Sequence, residues 1–277
     1  MNDPLVQALT VFLPCGYLVV AMLYSMAFAG EAQPRIARVR TPMLRLLSLL
    51  HLGLFALHGG SVAGFPRFDG WLVLSAVAFA TVALFVLTTW HRRQPTVGAL
   101  VLFVAGLLQM AASMFGPMAP LVEKGPSAFV TAMHVLTVIF ASAALVLSGL
   151  YGFLYLLLLR QMKQHTFGAL FRRLPDLRQL ARMTRAAALA GFIGLALGVN
   201  VGIGMAHARG VEGFTYADTF VLSMFAIWIH FGLIAFSGRI RGISAQRASW
   251  AAVGGLTVLM AALALALVPE ASFHSFR

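Results

Sequence analysis

Apolar residues run along this chain in long unbroken blocks, and polar residues collect in the short intervals between them. The stretch "AFVTAMHVLTVIFASAALVLSGLYGFLYLLLLR" carries no ionised side chain before Arg160 and is apolar on every helical face. A helix that is apolar all round belongs in lipid or in a deep core. About 20 such residues cross a ~30 Å hydrocarbon layer at 1.5 Å per residue. Eight segments meet that length, roughly 5–29, 43–63, 71–90, 96–118, 129–159, 186–206, 217–237 and 248–268. The pattern predicts an all-α, polytopic membrane helical bundle of eight transmembrane helices. With no internal repeat or low-complexity linker, residues 1–277 read as a single domain.

Composition agrees. Sixty per cent of the residues are hydrophobic and 10% charged, against roughly a quarter charged in soluble domains. The N-terminus lacks a basic region and a small-residue cleavage site, so the first block reads as a retained span. Cys15 is the one cysteine and lies inside that span, which excludes an intramolecular disulfide. The chain has no C-x-x-C-H element and so is not itself a c-type cytochrome.

The net charge of +12 invites a nucleic-acid reading, but its distribution argues for topology instead. Of the 20 basic residues, 16 fall after spans one, three, five and seven, the largest group lying between Arg160 and Arg185. Arg67, Lys124, Arg209 and Arg277 occupy the other side with most of the acids. Basic loops stay in the cytoplasm beside anionic lipid. Both termini are therefore expected outside, in a bacterial inner membrane, with membrane lipid as a partner and no nucleic acid. Trp71 and Trp90 bracket span three as expected interfacial anchors. Within the basic stretch, residues 161–182 predict a cytoplasmic amphipathic segment. There Pro175 breaks the chain, and Asp176 N-caps the helix that continues into span six.

In span six Gly194, Gly198 and Gly202 recur every fourth residue, a face made for close approach of another helix. Asn200 nearby is expected to hydrogen-bond across to a neighbour. His51 and His58 share a stripe of span two, and His230 lies in span seven. Ionisable groups in lipid are costly, so each has either a buried partner or a function. Counting back from Arg160 through the bilayer places His134 about 9 Å above the outer hydrocarbon edge. His274, beyond Pro269, reaches a similar level, and His207 joins them. Two imidazoles at one level can ligate a metal, above all a haem iron. No nucleophile–base pair, phosphate loop or metal cluster appears at a recognisable spacing, so no catalytic residue is assigned.

The segment "MHVLTVIFASAALVLSGLYGFLYLLLLRQMK" followed by "RLPDLRQLARMTRAAALAGFIGLALG" resembles the HemX- and CcsA-type cytochrome c assembly proteins. "LLSLLHLGLFALH", "HRRQPTVGALVLFVAGLLQM", "SGRIRGISAQRASWAAVGG" and the closing "FHSFR" continue the likeness in order, nearest the HemX and YpjD subgroup. The resemblance implies a membrane protein of cytochrome c biogenesis that binds or passes haem outside the cytoplasm. It implies a partner membrane protein and apocytochrome c as associates. His134 and His274 match the two outer histidines that ligate haem iron. His51, His58 and His230 would assist along the way. Where a tryptophan-rich loop stands in CcsA-type members, this chain has "HARGVEGFTYADTF", so Phe214 and Tyr216 are the available aromatic platform and Asp218 matches the closing aspartate. Arg209 or Lys124 would meet the propionates. The alternative implied by HemX-like relatives is a haem-free regulatory or scaffold protein of haem synthesis or respiratory-complex assembly. Its working surface would be the basic stretch. A small-molecule transporter fits less well, for lack of inverted repeats.

Overall fold

The computed structural model describes residues 4–26, 34–58, 70–89, 94–115, 128–209 and 215–266. Among these residues every regular element is a helix: α1 (Pro4–Met26), α2 (Pro34–His58), α3 (Gly70–Thr89), α4 (Pro95–Phe115), α5 (Ala128–Lys163), α6 (Ala169–Arg173), α7 (Leu177–Arg209), α8 (Thr219–Phe236) and α9 (Ala245–Ala266). Six of them are long and apolar enough to cross a membrane: α1 to α5 and α7. Helix α8 has a shorter apolar stretch, Val221–Phe236. The protein is a multi-pass membrane bundle.

Two groups of helices meet at α5. In the first, α1 packs on α2 and α4, and α3 packs on α4. In the second, α5 packs on α7 and α9, and α8 lies against both α7 and α9. Contacts between α3 and α5 join the halves.

The α5–α7 seam shows how sequence builds the contact. Its register runs antiparallel, with Gly191 against Leu145, Gly194 against Ala141, Gly198 against Val138 and Gly202 against His134. A Cβ added at Gly198 would stand 2.8 Å from the Val138 side chain, so the four-residue glycine face is occupied as its spacing predicts. At the far end Ser148 Oγ donates to the Thr184 carbonyl at 3.0 Å. Helix α9 also runs antiparallel to α5, with Leu256 opposite Gly149 and Ser249 and Ala252 opposite Gly152. It therefore heads toward the end at which α5 begins.

The basic stretch divides among three elements. Helix α5 extends to Lys163, a turn follows with His165 at φ 53°, and α6 is only five residues long. Asp176 caps α7 as expected, its Oδ1 accepting from the Gln179 N–H at 2.6 Å.

Two expectations change. Trp71 is 2% exposed, its indole turned into the bundle rather than toward head groups. Trp90 lies outside the described residues. Asn200 Nδ2 donates to the Ala196 carbonyl one turn back, 2.7 Å away, so its bond stays within α7. That local carbonyl lies within reach of any polar side chain four residues on, and no rearrangement of a second helix is needed.

Candidate functional site

At the end of the bundle where α5 begins and α7 finishes, His134 is held against α7. Its Nδ1 donates to the Gly198 carbonyl at 2.8 Å, reaching a helix 64 positions along the chain. The ring lies directly over Gly202, where an added Cβ would stand 2.6 Å from Cε1 and 3.0 Å from Nδ1. Only a residue without a side chain admits the imidazole here. With the proton on Nδ1 and directed at the Gly198 carbonyl, the lone pair of the neutral ring lies on Nε2. Metal-ligating imidazoles are commonly oriented by this same bond to a carbonyl.

His207 stands at the same end of α7, five positions past Gly202. Its Nδ1 donates to the Ile203 carbonyl at 3.0 Å. Its ring centroid is 5.9 Å from that of Tyr216. Tyr216 is 54% exposed, an aromatic surface at the mouth of the bundle. Asp218 opens α8: its Oδ1 accepts from the Val221 N–H at 3.3 Å, and its carbonyl accepts from Leu222 at 2.9 Å. Phe214 and His274 lie outside the described residues, as does the side chain of His58.

The intramembrane histidines have other partners. His51 is fully buried, and both ring nitrogens are engaged. Ser75 Oγ donates to Gln109 Oε1 at 2.7 Å, so Ser75 accepts from His51 Nε2–H at 2.9 Å. That tautomer leaves Nδ1 to accept from the Tyr17 hydroxyl, also at 2.9 Å. The run of bonds is one-directional, Tyr17 to His51 to Ser75 to Gln109, and crosses α1, α2, α3 and α4. Phe55 and Phe79 close around the imidazole, with centroids 4.8 and 5.2 Å away. Pro14 lies inside α1 and has no N–H for the Thr10 carbonyl, which accepts instead from Ser113 Oγ on α4. His230 Nε2 donates to the Ala251 carbonyl of α9 at 2.8 Å, packed over Gly255.

The structure thus places His134, His207, Tyr216 and Asp218 at one end of the bundle, and His51 and His230 at separate helix crossings. Tyr17, Ser75 and Gln109 are not singled out by the apolar pattern. A lone Ser or Gln inside an apolar run is the signal that marks such residues, since hydrocarbon offers it no partner. Among the described residues no group of three or more His, Cys, Asp or Glu forms a metal cluster.

A membrane helical bundle with a histidine braced at one end defines the class of protein. Its family follows from residues 39–271, which match the model of the cytochrome C assembly protein family. The match spans most of the chain, so the protein belongs to that family and serves cytochrome c biogenesis. No curated protein and no solved structure matched the chain.

Proposed function

We propose that the protein, a member of the HemX and YpjD subgroup, binds or passes haem at the extracytoplasmic face of a bacterial inner membrane. In this reading eight helices span the bilayer, both termini face outward, and His134 and His274 would hold the haem iron. The observation that carries it is the brace on His134. The Gly198 carbonyl accepts from Nδ1–H and fixes the plane of the ring. A ring fixed this way is a better ligand than a freely rotating one, because ordering it on binding costs nothing further. Helix α9 supports the second ligand, since it runs antiparallel to α5 and heads toward the end that holds His134. When bound, haem would supply the iron for these imidazoles to hold and the group to be attached to apocytochrome c. The chain's own residues bind and orient: Tyr216 and Phe214 cover a porphyrin face, and Arg209 or Lys124 receive the propionates. A partner membrane protein completes delivery.

His51 has no nitrogen to offer without breaking the Tyr17 or Ser75 bond, so we assign it to holding the first four helices together.

The test is an absorption spectrum of detergent-purified protein. A Soret band in the parent, absent from His134→Gly and His274→Gly and restored by added imidazole, is the expected result. A colourless parent, with both variants supporting cytochrome maturation fully, would overturn the haem reading in favour of the scaffold alternative.

A further inference from the structure

A second candidate site lies at the opposite, basic end. Helices α3 and α7 both pack on α5 without substantial contact with each other. Between them runs a cleft of about 380 Å³, within the range of ligand pockets. Its wall is mostly apolar, with Leu147, Met183 and the small side chains of Ala144, Ala187 and Ala190. Toward the basic end the lining turns polar, at Thr88, Gln94, Gln179 and Arg182. Among the described residues no acidic one lines it.

Two buried polar atoms on residues that line this cleft are unmet. Tyr151 is 3% exposed, and its hydroxyl has no hydrogen-bond partner. Thr88, beside it in the lining, gives its own proton to the Leu84 carbonyl. Gln94 Oε1 is buried and likewise without a partner. Buried polar groups in native proteins are almost always satisfied, so an unmet donor and acceptor beside one cavity indicate a missing ligand.

We propose that this cleft binds one anionic phospholipid with a hydroxylated head group, such as phosphatidylglycerol, drawn sideways from the adjacent leaflet. The phosphate accepts from the Arg182 guanidinium and the Tyr151 hydroxyl, and a head-group hydroxyl donates to Gln94 Oε1. One acyl chain lies along the alanine-lined wall and the other remains in the bilayer. The charge selects an anion, because an arginine with no acid in the cleft complements a phosphate. The apolar length selects a lipid over a soluble phosphate, which would leave most of the cavity empty. The exposed rim at Thr88, Arg182 and Ala186 is where the lipid enters.

Native mass spectrometry of the full chain, released from micelles containing equal phosphatidylglycerol and phosphatidylcholine of matched chains, tests the site. One phosphatidylglycerol should be retained in preference to phosphatidylcholine. Arg182→Gln should lower that retention about fivefold, the weight of one arginine beside an anionic leaflet. Tyr151→Phe, which removes only the hydroxyl, should also lower it, and Ala187→Trp should abolish it by filling the cleft. Arg178→Gln, on the same helix but not in the lining, should leave it unchanged. Equal retention of the two lipids overturns the proposal, as does an Arg178→Gln loss equal to that of Arg182→Gln. Displacement by millimolar inorganic phosphate would show a simple anion site and also overturns it. His134→Gly should retain the lipid as the parent does, so this result and the haem result are read separately.

Discussion

Replacing Gly202 with alanine should dislodge His134 without touching it chemically. The added Cβ would sit 2.6 Å from Cε1, 3.0 Å from Nδ1 and 3.4 Å from Nε2 of the imidazole. Helix α7 cannot retreat, because Gly191, Gly194 and Gly198 hold the rest of the seam against α5. The ring must swing away and give up the Gly198 carbonyl. Overpacking costs roughly 1–3 kcal/mol, and an interhelical hydrogen bond in a membrane about 1 kcal/mol. The better helix propensity of alanine returns roughly 0.5–1 kcal/mol. The net is a destabilisation of about 1–3 kcal/mol, concentrated at one imidazole. Gly204→Ala is the matched control, since an added Cβ there meets nothing within 4 Å. Thermal unfolding in detergent should place Gly202→Ala below the parent and Gly204→Ala at or above it. In the haem-loaded protein, Gly202→Ala should also weaken the Soret band and make it respond to added imidazole. If Gly202→Ala matches Gly204→Ala in both measurements, the brace on His134 does not exist as described.

Tyr17→Phe removes the donor to a fully buried His51 nitrogen and should cost roughly 1–2 kcal/mol in unfolding measurements, since an unmet buried acceptor keeps its desolvation penalty. Ser113→Ala strands the Thr10 carbonyl that Pro14 cannot serve, and Ser113→Ala combined with Pro14→Ala should recover the loss because α1 regains its own bond; a double-mutant cycle reads this directly. Asp176→Ala should cost about 1 kcal/mol through the lost cap on α7, visible as faster amide exchange at the first turn of α7, with the spans undisturbed.

The glycine seam is legible in the amino-acid order alone, because a period of four places residues on one face whatever the fold. The cap at Asp176 is legible too, since N-capping needs only local backbone and a short acceptor. Which helix meets the glycine face is not. Lipid tails are as apolar as leucine, so hydrophobic pattern marks a membrane helix without naming its neighbour. The same limit hides Ser75 and Gln109, each one of several polar residues in a largely apolar run, until tertiary packing joins them to Tyr17 and His51. It hides the cleft beside Tyr151, whose walls come from three helices. Span propensity and the charge asymmetry are properties of segments, and the order of residues by itself determines them. The pairing of an imidazole with a carbonyl 64 residues away depends on how helices cross, and only the three-dimensional arrangement decides that.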